Sequence, residues 1–347
     1  MKLLRPSLAI LLAAGLSSNA QTTATTDPVG FTTLAIQGKA SAGAANRNNF
    51  VSLNMQRASA FQGTISSVAL DGGRSVLTIT GASFTANQFS GAGNVHYVRL
   101  TSGASGNNGL ISEVVSTSGS TITVVDNIND AITAGSTTFS VTPYWTLSTA
   151  FPSGGGLTGG TSATAADNIT IIPPTGGSLT YFYNTTANQW RRGTTDSSNV
   201  VIPPGSGMQI VRKQVGSVAI VLAGSVMLGP VEAIIGGASS TAARNSFASN
   251  PFPLASKTLA TSGLYTGDPA TGVVGGTSAT SADTVTIFDP TTGQALSYFY
   301  NTTANQWRRG TTDSSNVTIP DGAAVQVTRK ANRGEFSWFI QQPTMTL

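Results

Sequence analysis

The sequence predicts an all-β protein of duplicated sandwich- or barrel-like units, with a small β module inserted in the first. Three observations carry this. The 20-residue string YFYNTTANQWRRGTTDSSNV occurs unchanged at Tyr181–Val200 and Tyr298–Val317, and an internal repeat decides architecture ahead of any local reading. Its flanks are related: 13 of 19 positions of Gly159–Gly177 match Gly275–Gly293, and 6 of 13 of Val201–Lys213 match Thr318–Lys330. Short runs of Val, Ile, Thr and aromatic residues alternate with Gly, Ser, Asn and Pro clusters, the pattern of strands joined by turns. Long helical patterns and βαβ spacing are absent.

The chain opens with Lys2 and Arg5, the short apolar run Leu8–Leu16 and the small-x-small site Ser18-Asn19-Ala20. This pattern predicts a secretory signal peptide over residues 1–20. The run is too short to span a bilayer, which takes about 20 residues, and no Cys stands at the cleavage site for a lipid anchor. Export would remove two cations and lower the net charge from +4 to +2. The expected location is secreted, extracellular or cell-surface, with the periplasm as an alternative. The next residues, Gln21–Thr26 followed by Pro28–Leu34, read as an extended arm able to add to a neighbour's sheet edge.

Pro28-Val29 and Pro230-Val231 each open an apolar run, and A-x-R-N-x-F-x-S recurs at Ala45–Ser52 and Ala242–Ser249. Both units then share one order: a Pro-Val strand, this motif, GGTSAT, the aromatic hairpin and a strand ending in Arg-Lys. Residues 21–228 form the first unit and 229–347 the second. The first carries an insertion, about 63–150, in which Gly63–Val68, Ser75–Thr80, Val95–Leu100, Ile111–Val115, Thr121–Val125 and Thr138–Tyr144 read as six strands of a small barrel or sandwich. Ser153–Thr161 is a flexible return to the host unit. Val215–Leu228, interrupted by Gly224, reads as a buried strand pair rather than a membrane helix.

The repeated string reads as a β-hairpin. Tyr181–Tyr183 pairs with Gln189–Arg192 across the turn Asn184–Asn188, which sets Tyr183 against Trp190, and Tyr300 against Trp307 in the second copy. One reading makes these aromatics the glue of a small sheet. The other makes Tyr183, Trp190, Arg191 and Arg192, with Tyr300, Trp307, Arg308 and Arg309, two equivalent contact sites, because Trp and Arg are enriched at binding hot spots. Such sites would bind another subunit or stack on surface glycans. Asn184-Thr185-Thr186 and Asn301-Thr302-Thr303 also match the N-glycosylation pattern.

The inventory argues against an enzyme. His96, in a strand-like run, is the sole histidine, so a structural role outweighs a catalytic one. No G-x-S-x-G, P-loop or H-E-x-x-H occurs. A paired-carboxylate hydrolase is the residual enzymatic reading. Asp126–Asp130 is rich in oxygen ligands, but Ile128 stands at the third position of a would-be Ca²⁺ loop, so it reads as a polar turn. No cofactor is expected. Charged residues are 9% of the chain, against about 25% in globular domains, and no basic stripe points to nucleic acid. With no Cys, disulfides do not hold the fold.

Three segments resemble a family of uncharacterised secreted β-rich proteins of Verrucomicrobia-type bacteria: the start Thr26-Asp27-Pro28-Val29-Gly30-Phe31, the segment PYWTLSTAFP at Pro143–Pro152, and the YFYN…W hairpin. The likeness covers nearly all of the chain after residue 20. It implies secretion and a β-rich fold, and nothing about catalysis. The functional expectation is a secreted structural or cell-surface protein that self-assembles through sheet edges or hairpins. The alternative is a glycan-binding adhesive module built on the hairpins.

Overall fold

The computed structural model describes residues 28–103, 107–173, 176–227, 229–250, 252, 257–289, 294–320 and 323–341. The segment expected to be a signal peptide and the first part of the expected arm, Gln21–Thr26, lie outside them. The chain folds as strands throughout, with helix confined to single turns. The all-β expectation holds.

The first unit is built on a six-stranded antiparallel sheet. Its order is Thr195–Asp196, Gln189–Arg192, Leu179–Asn184, Asn168–Ile171, Gly207–Arg212 and Arg47–Ser52. A separate ribbon, Val29–Ile36 paired with Val218–Ser225, packs on this sheet. The core between them joins Leu34, Ile36, Ile220 and Leu222 of the ribbon to Ile169, Tyr181, Trp190 and Ile210 of the sheet. Each such side chain contributes about 1.5–3 kcal/mol on burial. Val218–Ser225 shows why the strand-pair expectation for Val215–Leu228 fails. Ile220 and Leu222 point inward while Ala219, Val221 and Ala223 face out, so the run is one half-buried strand with period 2.

The second unit repeats this strand for strand. Its sheet runs Arg244–Ser249, Ala324–Arg329, Thr284–Phe288, Ala295–Asn301, Gln306–Arg309 and Thr312–Asp313, and its ribbon pairs Val231–Ile235 with Phe336–Ile340. A short pair also recurs: Trp145–Thr146 with Val201–Ile202, and Lys257–Thr258 with Thr318–Ile319. The shared Pro-Val start is less equivalent than it reads. Val29 is 80% exposed and Val231 is 1% exposed, because the ribbons align on Ile36 and Ile235, each opposite the first residue of its partner strand.

The two sheets meet through matching edges. Val51 lies opposite Met208 in one sheet, and Ala248 opposite Val325 in the other. Across the junction Val51 bridges to Ala323 and Ala248 bridges to Ser206, and each bridge is the image of the other. Phe50 meets its counterpart Phe247 edge-on, with ring centroids 5.4 Å apart. A Cβ added at Gly207 would collide with the Cβ of its counterpart Ala324. Self-matched contacts of this kind define a two-fold axis, here between two halves of one chain.

The insertion forms a seven-stranded sheet: Phe61–Thr64, Thr138–Pro143, His96–Leu100, Ile111–Ser118, Thr121–Val124, Arg74–Thr78 and Ser67–Asp71. The first expected strand is two strands. Phe61–Thr64 pairs with one edge and Ser67–Asp71 with the other. At their junction Ile65 N–H donates to Thr137 O while Ser66 N–H donates to Thr78 O. The bend joins both edges and curls the sheet around a core of Ile65, Leu77, Val98, Leu100, Ile122 and Phe139. No helix among the described residues is long and apolar enough to cross a membrane.

Candidate functional site

The hairpins form as the pattern predicts, with Tyr183 opposite Trp190 and Tyr300 opposite Trp307. Both aromatic pairs meet edge-on at 5.8 Å. Asn188 and Asn305 supply the left-handed turn positions (φ 51 and 52), which Asn tolerates better than most residues. Asn184 Oδ1 accepts the N–H groups of Thr186 and Ala187, and Asn301 does the same for Thr303 and Ala304. Both Asn side chains are buried and their amide nitrogens donate to Thr161 O and Thr277 O. The two glycosylation patterns are thus turn anchors, and their Nδ2 atoms are engaged.

Trp190 is 1% and Trp307 2% exposed. Each indole sits in its unit's core, and Trp190 Nε1 donates to Phe151 O at 3.1 Å. The ring faces that a sugar would stack on are inside the protein. Tyr183 and Tyr300 are half-buried against the same cores, and Tyr300 stacks on Tyr265 at 3.5 Å. What each hairpin shows to solvent is exposed Arg192 or Arg309, with Arg191 or Arg308 half-buried. Beside them, Asp196 and Asp313 are held below the usual carboxylate range, first by the N–H of Ser198 or Ser315 and then by its hydroxyl.

The repeated Arg-Lys ending, read only as a strand end, carries the chain's ion pairs. Among the described residues these are Arg212–Asp167 and Arg329–Asp283. Asp283 also accepts the N–H groups of Val274 and Lys330, and Asp167 those of Thr158 and Lys213. Arg329 is fully buried, bonds Gly272 O and Gly334 O, and lies 4.7 Å from the Phe336 ring. A buried, hydrogen-bonded ion pair is a clasp whose rupture is costly. The signal was in the sequence: Asp167 and Asp283 each stand eight residues after the first glycine of GGTSAT.

His96 is buried in the module. Its Nδ1 lies 3.2 Å from Asn94 O, and burial lowers its pKa. In the Asp126–Asp130 turn Ile128 enters the module core. Asp126 accepts the Ser112 hydroxyl and Asn129 Oδ1 accepts that of Ser75, each at 2.6 Å. The oxygens brace the turn.

One surface has no internal partner among the described residues. The outer face of the first ribbon presents Val29, Phe31, Thr33 and Ala35 from one strand, and Ala219, Val221 and Ala223 from the other. Val29, Phe31 and Val221 are 80%, 76% and 62% exposed. None of these positions is charged. Val29–Ile36 also keeps one edge open, since Val218–Ser225 is its only strand partner among the described residues. The arm expected to be free from Pro28 onward is therefore folded into its own unit, because Leu34 and Ile36 are needed in the core.

Fold and surface together define an all-β protein of two covalently joined, two-fold related units with an inserted curled sheet. Comparison with protein-family models, with curated proteins and with solved structures finds no match for this chain.

Proposed function

We propose that this is a secreted structural or cell-surface protein that associates with further copies through its first ribbon. The uncharged apolar face around Phe31 and Val221, beside an open strand edge, carries the reading. Exposed apolar patches mark interaction surfaces, and an open edge is a template for further pairing. A second copy fits because the patch is free of charge and can meet itself across a two-fold axis without like-charge repulsion. The low charge of the whole chain supports the same role.

Light scattering and negative-stain microscopy test it. The native protein should form dimers or larger assemblies. The double substitution Phe31→Asp and Val221→Asp should leave a folded monomer. Monomeric native protein, or unchanged assembly of the double variant, refutes the proposal.

A further inference from the structure

The module and the two units meet around two adjoining cavities. One, of about 610 Å³, is bounded by Tyr144 of the module, Ile171 and Tyr181 of the first unit and Phe247 of the second. The other, of about 640 Å³, lies between the module and the second ribbon. Ile111, Asp126, Glu232 and Ile234 belong to both walls.

The charge of these walls has one sign. Of the chain's 14 acidic and 18 basic residues, Glu113, Asp126, Glu232 and Glu335 line the cavities, and among the described residues no Lys or Arg does. The chain's ion pairs among the described residues lie elsewhere. Glu232 is 9% exposed, and its carboxylate accepts the Ile111 N–H at 3.0 Å and the Ser337 hydroxyl at 2.5 Å. These neutral donors orient it without neutralising it. Burial raises the pKa of Glu232 and Glu113, and the nearby Asp126 pushes both further the same way. Glu232 is held out of water with no counter-charge on these walls among the described residues, which is unfavourable, and a guest cation would offset that, with the exposed Glu113 and Asp126 at the cavity's rim.

We propose that this three-way junction binds a small organic cation. Its ammonium or guanidinium sits among Glu113, Asp126 and Glu232, and its apolar body lies against Tyr144, Tyr181 and Phe247. The volume matches ligand pockets, which run from about 300 to 1,000 Å³. The aromatic wall adds attraction for a cation and would be left unused by a metal ion. No group of three His, Cys, Asp or Glu side chains among the described residues is placed to hold one.

Calorimetric titration of the whole protein with phenethylammonium, 2-phenylethanol and 3-phenylpropionate tests this. The ammonium should bind at least about tenfold more tightly than the alcohol, as charge-assisted bonds allow, and the carboxylate should not bind. Glu113→Gln, at an exposed carboxylate, should weaken ammonium binding about tenfold with an unchanged melting temperature. Asp313→Asn, in the second hairpin and outside both walls, should leave it intact. No heat with the ammonium, equal affinity for the alcohol, or equal loss in both variants overturns the proposal.

Discussion

The two ribbons show what the same element becomes in two settings. Each pairs two strands and closes one side of a six-stranded sheet. The second ribbon faces the inserted module: Arg99 donates to Pro230 O at 2.7 Å and Ile111 N–H to Glu232. There Gly109 (φ 94) passes so close to Pro230 that a Cβ would strike its carbonyl. The first ribbon has no module over it and shows Phe31 and Val221 to solvent. Where the module faces a ribbon, the outer face carries Glu232 and Ser337 beside Ile234 and Phe339; where no described residue does, the face holds no charge. Duplication reproduced the core, and each outer face took its character from its neighbour.

If the units are one device in two settings, core changes should cost the same in both, and changes where they meet other parts should not. The largest effect is expected from Trp190→Ala and Trp307→Ala, each lowering stability by about 3–5 kcal/mol in urea unfolding followed by circular dichroism. A much smaller loss for one would break the equivalence of the hairpins. The clasps come next. Arg212→Met and Arg329→Met each strand a buried Asp and should cost about 3–5 kcal/mol. Arg329 should cost more, since its side chain is 0% exposed against 8% for Arg212, and the reverse order would count against burial as the cause.

Gly207→Ala sharpens the comparison at the two-fold axis. Its counterpart is already Ala324, and two methyl groups do not fit where one does, so a loss of about 1–3 kcal/mol is expected from overpacking. A neutral result would show that the sheets can part without cost. The smallest effect concerns Glu232. Burial raises its folded pKa above the ordinary 4.5, so its contribution is fully present below that value and is lost as pH rises through the folded value. Native protein should therefore lose more melting temperature than Glu232→Gln does as pH is raised above 4.5. Parallel curves for the two would remove Glu232 as the source.

The sequence by itself determined the strands, their duplication and the hairpin register, because these follow from period-2 patterning, turn residues and an unchanged 20-residue string. Gln189–Arg192 was legible to the residue. It also held signals that are plain only afterwards. Thr146-Leu147-Ser148-Thr149 and Thr258-Leu259-Ala260-Thr261 are a further repeat, and in both the first and last Thr exchange hydroxyl-to-backbone bonds. The tertiary structure alone decided the rest. Whether Trp190 offers a face or fills a core depends on which side of its sheet the ribbon covers. Whether Val29 is buried depends on how its ribbon aligns, since one residue of shift turns a side chain to the opposite face. The acidic junction gathers Glu113, Asp126, Glu232 and Glu335 from segments up to 222 positions apart in sequence. No local pattern encodes that meeting, because it is fixed by packing three bodies and not by any one strand.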